Sequence, residues 1–351
     1  MHMADALISP VVGAVMWTAT AGVAAYSIKK VQAELDEKKI PIMGAMGAFV
    51  FATQMINFSI PGTGSSGHLG GGLLLAILLG PYAGFITMAA ILLIQALFFG
   101  DGGLLAYGCN VFNLGFYTCF LAYPLIYKTI TKKGISPKRI LAGSMIAAIA
   151  GLQLGALSVV FETFLSGKTE LPFNAFLLMM QPIHLAIGIV EGLVTAAVIS
   201  FVWKARPDLL EKSAVTNTSG TKAIKRVVIG FLIAALVIGG GVSWFASANP
   251  DGLEWSMEKT AGVTELEATD GIHGFLAGIQ SKTAFLPDYG FKTTNTEAHT
   301  EPAAETGDTW PAVSAGTSVS GFVGGALTLA LLIMVGFVLH FLKRRKPKAA
   351  A

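Results

Sequence analysis

Long apolar stretches alternate with short polar ones along most of the chain. A helix needs about 20 predominantly apolar residues to cross a bilayer, and eight stretches approach or exceed this length: Ile8–Ile28, Pro41–Phe58, Tyr82–Phe99, Leu104–Tyr127, Ile140–Phe164, Leu177–Trp203, Ile224–Phe245 and Ser318–Leu342. A ninth stretch, Leu69–Leu79, is apolar but short, and it ends at Gly80-Pro81. We therefore expect an all-α, polytopic helical membrane protein.

The basic residues test the orientation of these stretches. If the N-terminus lies outside and all nine stretches cross, 20 of the 24 Lys and Arg residues fall in the cytoplasm, and those facing outward are Lys168, Lys259, Lys282 and Lys292. Cytoplasmic loops carry such an excess of basic residues, whereas leaving out the short stretch would reverse every later segment. We predict a multi-pass protein of the cell (plasma or inner) membrane with its N-terminus outside and its C-terminus in the cytoplasm.

The same arrangement divides the chain into two parts. Residues 1–206 contain seven predicted helices, residues 207–223 form a polar cytoplasmic linker, and residues 224–351 contain two more helices. Between these two helices lies an outward segment, about residues 248–317, with eleven Asp and Glu residues against three Lys. We expect a seven-helix bundle followed by two transmembrane helices that flank an extracytoplasmic segment.

The composition supports a membrane protein and excludes other classes. Of the 351 residues, 53% are hydrophobic and 13% are charged, whereas about 25% of the residues in soluble domains are charged. So apolar a chain fits neither a soluble enzyme, nor a disordered protein, nor a nucleic-acid-binding protein. The two cysteines, Cys109 and Cys119, fit neither a disulfide framework nor a zinc site, and we interpret them as buried apolar residues.

The N-terminal sequence carries donors for a metal ion. The α-amine of Met1, the amide nitrogen of His2 and Nδ1 of the His2 imidazole can bind one ion in fused five- and six-membered rings. Planar nitrogen sites suit Ni(II) or Cu(II), and Co(II) stands lower in the order of affinity. Binding displaces protons from the amine and the amide, so the affinity should rise with pH. The alternative interpretation of His2 is a solvated terminal residue or an expression scar.

Three donors leave a fourth planar position open, and a glycine-rich loop on the same side of the membrane offers a ligand. This loop, residues 61–72, contains one strong metal donor, His68, although a histidine at the membrane interface is an equally open interpretation. The spacing of Gly62–Gly67 imitates a phosphate-binding loop, but His68-Leu69 stands where Lys and Ser or Thr are needed. We predict that this chain binds no nucleotide, so if it takes part in active transport, a partner must handle ATP.

Short motifs follow one another in order along residues 1–205: Met1–Asp5, Pro61–Gly70, Leu78–Pro81, Phe99–Gly103, Pro182–His184 and Glu191–Leu193. Together they resemble the CbiM/NikM family, the substrate-capture (S) components of energy-coupling-factor transporters for cobalt and nickel. The resemblance implies that Ni(II) or Co(II) is the transported substrate, held by the Met1 amine, the His2 amide and imidazole, and His68. Met3 stands where the family commonly has Ile.

Two motifs in the C-terminal part, Pro250–Glu254 and Leu286–Gly290, resemble the PDGLE domain of CbiN/NikN-type accessory components. The whole chain therefore resembles a fused NikMN or CbiMN protein. The resemblance implies an S-component bundle in the lipid bilayer, fused to a PDGLE domain. It also implies two partners, a transmembrane scaffold subunit (CbiQ/NikQ-like) and a cytosolic ATPase subunit (CbiO/NikO-like).

Further polar residues are candidates for supporting or coupling roles: Asp5, Ser66, Asp101, His184 and Glu191. His184 and Glu191 lie on one face of a predicted helix, about 10 Å apart along its axis, so they cannot pair directly. Either they anchor a neighbouring loop or helix, or they take part in a metal relay or conformational coupling. Asp5 is interpreted first as the cap of the first helix and second as a partner of His2, and Asp101 as the cap of the next helix or a residue that shapes the site.

We expect a non-catalytic transport subunit that captures Ni(II) or Co(II) from outside the cell. Planar nitrogen donors with a deprotonated amide favour nickel, but the sequence leaves both metals open. One alternative is a proton-coupled secondary carrier with Glu191 and His184 as its relay. The other is an intramembrane metalloenzyme, which would need a general base beside the metal, and no acidic residue adjoins His68 in the sequence.

Overall fold

The computed structural model describes residues 2–34, 40–207, 210, 221–269, 271–292 and 311–344. Helices dominate these residues: α1 Pro10–Glu34, α2 Ile40–Gln54, α3 Gly72–Leu79, α4 Pro81–Phe99, α5 Tyr107–Thr131, α6 Pro137–Leu165, α7 Phe173–Ala205, α8 Thr221–Gly240, α9 Gly252–Ala261, α10 Gly271–Thr283 and α11 Ala315–Arg344. Within the described residues, six helices are long and apolar enough to cross a membrane, namely α1, α4, α5, α6, α7 and α11, and α2 is apolar but shorter. The prediction of a polytopic helical membrane protein is confirmed, and the nine crossings stay a prediction.

Local signals explain where several helices begin. The Ser9 side chain accepts a hydrogen bond from the Val12 amide at 3.3 Å, so Ser9, followed by Pro10, starts α1. Asp5 instead lies in a 3-10 turn, Asp5–Leu7, and the prediction that Asp5 caps the first helix is wrong. The short apolar stretch is α3, which Gly80 separates from α4. Gly80 has a φ of +85°, a backbone conformation that glycine adopts at little cost.

The glycine-rich loop contains a small β-hairpin that the apolar pattern did not predict. Strand β1, Phe58–Ile60, pairs antiparallel with β2, Ser65–Gly67, and Ser59 lies opposite Ser66. The amide of Ser66 donates to the carbonyl of Pro250 at 2.8 Å. The backbone of the hairpin therefore binds the outward segment of the C-terminal part at Pro250.

The motif at residues 250–254 is the start of a helix. The Asp251 side chain accepts hydrogen bonds from the amides of Leu253 and Glu254 at 2.7 and 2.9 Å, and the Glu254 side chain accepts one from the Asp251 amide at 2.9 Å. This reciprocal pair is a capping box, and it begins α9. The motif thus fixes both the helix start and the position of the Asp251 carboxylate.

The last helix packs against the first part of the chain along one side. Helix α11 lies along α2, and α8 contacts both. Small residues permit this approach, because a Cβ at Gly44 would lie 2.7 Å from Cδ1 of Leu329. Most of the predicted linker, residues 207–223, and residues 293–310 of the outward segment lie outside the described residues.

Candidate metal site

The structure brings His2 and His68 together. Their imidazole rings are stacked, with centroids 4.9 Å apart and an angle of 22° between the planes. Only 7% of the His2 side chain and 9% of the His68 side chain are exposed. Met1, whose amine belongs to the predicted donor set, lies outside the described residues. Two candidate ligands from distant segments therefore share one buried position.

Asn110 of α5 fixes the chain next to His2. Its side-chain oxygen accepts a hydrogen bond from the Met3 amide at 2.8 Å, and its side-chain nitrogen donates to the Met3 carbonyl at 3.1 Å. The same carbonyl also accepts a bond from the Gly103 amide at 2.9 Å. Because Met3 is fully buried, these bonds hold the terminal segment in one place and so position His2.

Asp101 lies beside His2, in the turn after α4. Its Oδ1 is 2.7 Å from Nδ1 of His2, and its Oδ2 accepts a 2.5 Å hydrogen bond from the Tyr289 hydroxyl. Burial alone would raise the pKa of Asp101, but attraction to His2 and the bonds from His2 and Tyr289 lower it to about 2. Asp101 is therefore ionised and contacts the site. The prediction that it caps the next helix is wrong.

Asp251, from the C-terminal part, faces His68. Its Oδ2 lies 3.7 Å from Nε2 of His68, while its Oδ1 caps α9. Burial, with a smaller contribution from the neighbouring His2, lowers the pKa of His68 to about 3, although Asp251 and Asp101 oppose that shift. The His68 ring is therefore neutral near pH 7, which is the form that binds metal ions.

An open cavity of about 370 Å³ adjoins the two rings, and its walls include His2, Asp5, His68, Asp101, Asp251 and Glu254. Carboxylates around a concave site raise the local concentration of cations. Among the described residues, no group of three or more His, Cys, Asp and Glu side chains is arranged to hold a metal ion. The predicted site takes two of its donors from the main chain.

The remaining predicted residues make specific contacts. The side chain of Asp5 accepts a bond from the Ala106 amide at 2.9 Å, just before α5, and the hydroxyl of Ser66 donates to the carbonyl of Asn249 at 2.7 Å. Asp5 thus supports the turn before α5, and Ser66 ties the loop to the C-terminal part.

Glu191, buried in α7, holds the loop that carries His68. Its two carboxylate oxygens accept hydrogen bonds from the amides of Gly70 and Gly71 at 2.8 and 3.1 Å. This is the loop anchor that the sequence offered as one alternative. His184, also on α7, bonds through Nδ1 to the carbonyl of Met180 at 2.8 Å.

Sequence reasoning missed a second buried carboxylate, Glu162 of α6, which is 5% exposed. Asn113 donates to Glu162 at 2.8 Å and contacts the sulfur of Met3 at 3.8 Å. The available signal was that Glu162 is the one acidic residue in the apolar stretch Ile140–Phe164. Sequence reasoning also missed Tyr289. Its hydroxyl contacts Asp101, which lies 188 residues earlier in the chain, so no local pattern predicts the contact.

Comparisons with known proteins identify the families that the two parts of the chain resemble. The family described as "Cobalt uptake substrate-specific transmembrane region" (CbiM) matches residues 2–209, and the PDGLE domain matches residues 225–341. The "Putative fused nickel transport protein NikMN" of Archaeoglobus fulgidus is 32% identical over 94% of this chain and 96% of its own length. The "Cobalt transport protein CbiM" of Geobacter sulfurreducens is 29% identical over 68% of this chain and 72% of its own length.

A solved structure shows the same fold for the first part. The crystal structure of a transition metal transporter is 33% identical, with a TM-score of 0.53, and the match covers 61% of this chain and 98% of the other.

Proposed function

Because the chain belongs to the CbiM family of substrate-specific transmembrane regions and continues into a PDGLE domain, we propose that it captures nickel or cobalt for an ATP-driven energy-coupling-factor uptake transporter. The observation that carries this proposal is the stacked pair of His2 and His68 beneath an acidic rim. The ion enters from outside and loses water as it binds.

The metal ligands in this proposal are the Met1 amine, the His2 amide nitrogen, Nδ1 of His2 and the His68 imidazole. In the structure Nδ1 of His2 is bonded to Asp101, so the ring must turn about its Cβ–Cγ bond to chelate. That turn brings the Nε2–H group toward Asp101, whose carboxylate can then accept a hydrogen bond from it. A metal-bound histidine usually has such a partner. The planar nitrogen set favours nickel.

The PDGLE domain, in this proposal, completes the wall of the site. It supplies Asp251 beside His68 and Tyr289 beside Asp101, and Gln280 of α10 bonds the carbonyls of Ala96 and Gly102. These contacts support a role in loading or releasing the ion. The driving force comes from partners, a transmembrane scaffold subunit and a cytosolic ATPase subunit, with this chain's N-terminus outside and its C-terminus in the cytoplasm.

The contacts favour capture over the proton-coupled carrier. Both oxygens of Glu191 bind loop amides, and Nδ1 of His184 binds a backbone carbonyl. Glu191 and His184 are thus held by structural hydrogen bonds, and a proton relay through them would have to break these bonds. The intramembrane metalloenzyme is set aside because the similar proteins are named as transport proteins.

The decisive experiment removes the terminal amine from the chelate and keeps every side chain. Ni(II) affinity is measured by calorimetry on the purified chain with its native terminus and on a version extended by one N-acetylated glycine before Met1, so that no free amine can form a new chelate with His2. We expect the extension to weaken binding about 100-fold or more, roughly 2.8 kcal/mol. Equal affinities would remove the Met1 amine from the ligand set and with it the proposed chelate.

A further inference from the structure

His184 presents an unused nitrogen inside the protein. The side chain is 1% exposed, and its Nδ1 lies 2.8 Å from the Met180 carbonyl. A carbonyl oxygen only accepts, so Nδ1 carries the proton, and Nε2 of the neutral ring keeps its lone pair. Nε2 is buried and has no hydrogen-bond partner among the described residues. A buried lone pair without a partner is costly, so this atom is suited to a ligand.

A small cavity lies between His184 and the metal site. The space open to the centre of a water-sized sphere is about 10 Å³, and its walls include His68, His184, Asp251 and Gly252. That space is about enough for one water molecule, and a metal ion is smaller. A Cβ at Gly252 would lie 3.2 Å from Cε1 of His184, so the glycine of the PDGLE motif leaves the room beside that ring.

The groups around this cavity are those that bind transition metals. Imidazole nitrogens suit nickel, and a metal-binding histidine commonly donates its other N–H to a backbone carbonyl or a carboxylate. Met180 already provides that carbonyl for His184. The cavity thus offers two imidazoles, one of them with its tautomer fixed by the backbone, and a carboxylate.

We propose that His184 is the first inward ligand for the ion, which leaves the terminal chelate while bound to His68 and passes to Nε2 of His184. This step rests on the proposed function. Since α7 begins at Phe173, His184 lies roughly 16 Å along the helix from that end. Glu191 on the same helix holds the loop that carries His68, so one helix positions both histidines at the small cavity.

Two substitutions separate a ligand role from a structural one. His184→Asn keeps an N–H near the position of Nδ1, and so keeps the bond to Met180, but has no atom at the position of Nε2. His184→Gln does the reverse, because it places an amide oxygen near Nε2 and loses the donor at Nδ1. Leu152→Val, on the wall of the same cavity, is the control for cavity volume, since it changes no donor.

Each variant is made in the full chain, with the native terminus and with one N-acetylated glycine added before Met1, so that the extended terminus has no free amine to bind the ion. In the native-terminus form we expect all three to bind Ni(II) within about twofold of the parent. In the extended form, weak Ni(II) binding by His68 and His184 should remain. His184→Asn should lower this residual affinity about tenfold, His184→Gln should lower it less, and Leu152→Val should not change it.

Uptake of radioactive nickel by the complete transporter gives the second readout. We expect an initial rate about tenfold lower for His184→Asn and an unchanged rate for Leu152→Val. Parent-like residual binding and uptake in His184→Asn would overturn the proposal and leave a structural water in the cavity. Equal losses in the Asn and Gln variants, or a larger loss in Gln, would also overturn it. A failed terminal chelate would be recognised separately, because the extension alone would then leave tight binding intact.

Discussion

The two histidines of the site are held by different parts of the molecule. The His2 side is built within the membrane part. Asn110 bonds the amide and the carbonyl of Met3, and Asp101 lies 2.7 Å from Nδ1 of His2. The His68 side is built at the junction with the PDGLE domain, where Asp251 approaches Nε2 of His68 to 3.7 Å, which is beyond hydrogen-bond distance.

This difference separates two tasks. The His2 side has hydrogen-bonded partners and is positioned before an ion arrives. The His68 side depends on a loop that Glu191 and Ser66 tie to α7 and to the PDGLE segment. Any movement of that segment therefore acts on His68 first. We infer that the His2 side supplies affinity and the His68 side is the part that adjusts.

The largest expected difference between the two sides is the number of protons that each releases when the metal ion binds. Burial lowers the pKa of His68 to about 3, so His68 releases no proton when it binds metal near pH 7. On the His2 side, the Met1 amine, with an ordinary pKa of about 7.7–8.0, and the His2 amide both lose one. Each released proton raises the affinity about tenfold per pH unit. We therefore expect Ni(II) affinity to rise about 100-fold from pH 6 to pH 7, measured by calorimetry in non-chelating buffers.

The extended chain is the control for this pH dependence. With the amine displaced, the rise between pH 6 and pH 7 should become much smaller, while the pH dependence of His68→Ala should match that of the parent at a lower affinity. A parent affinity that changes less than about tenfold over this interval would contradict the release of two protons.

The contributions of Asp101 and Asp251 to Ni(II) affinity should follow their distances from the nearest histidine, so Asp101 should contribute more. Asp101→Asn removes a charged partner in hydrogen-bond contact with His2, and we expect Ni(II) affinity to fall between about 10- and 100-fold. Asp251→Asn keeps the cap of α9, since the Asn oxygen also accepts amide bonds, and it removes a charge that lies 3.7 Å from His68, beyond hydrogen-bond distance. For that variant we expect a loss of about fivefold. Calorimetry on both variants gives the ranking.

Asp288→Asn is the matched control, because Asp288 also borders the open cavity of about 370 Å³, whereas the carboxylates beside the two histidines are Asp101 and Asp251. Its affinity should stay close to that of the parent. If Asp251→Asn cost more than Asp101→Asn, the His68 side would supply the larger part of the affinity, and the division of tasks would be reversed.

The helices were predictable because their signal is local. Apolar stretches such as Ile140–Phe164 contain the information for α6, and Gly80-Pro81 marks the break after α3. The β-hairpin was not predictable, because Phe58–Ile60 and Ser65–Gly67 are three residues each, too short for an alternating pattern to identify a strand. Pairing there is set by the turn and by the segment that lies on it.

The candidate site was predictable only where donor chemistry is written in adjacent residues. Met1-His2 is such a case, and orientation placed His68 on the same side. Asp5 shows the limit. Its local pattern favours a helix cap, whereas its side chain bonds the Ala106 amide, 101 residues away. Tertiary contacts override local preferences of this kind, so the partner of a residue such as Asp5 can be identified only from the folded structure.

The smallest expected effect on Ni(II) affinity concerns Tyr289, the residue through which the PDGLE domain contacts the His2 side. Asp288 and Tyr289 adopt φ values of 49° and 58°, which is unusual for residues other than glycine. The Tyr289 ring stacks on Phe99, with centroids 5.0 Å apart, while its hydroxyl bonds Asp101. These contacts compensate for the strained backbone, and they let the PDGLE domain hold the carboxylate that serves His2.

Tyr289→Phe keeps the stacked ring and removes only the hydroxyl. The Asp101 carboxylate then loses one of its two partners but keeps His2, so we expect Ni(II) affinity to fall about threefold, less than 1 kcal/mol. Tyr26→Phe, at a half-exposed tyrosine of α1, is the control and should match the parent in calorimetry. A loss as large as that of Asp101→Asn would mean that the His2 side depends on the PDGLE domain as much as the His68 side does. The two sides would then act as one unit, because a single hydroxyl from the second part of the chain would set the position of the first histidine.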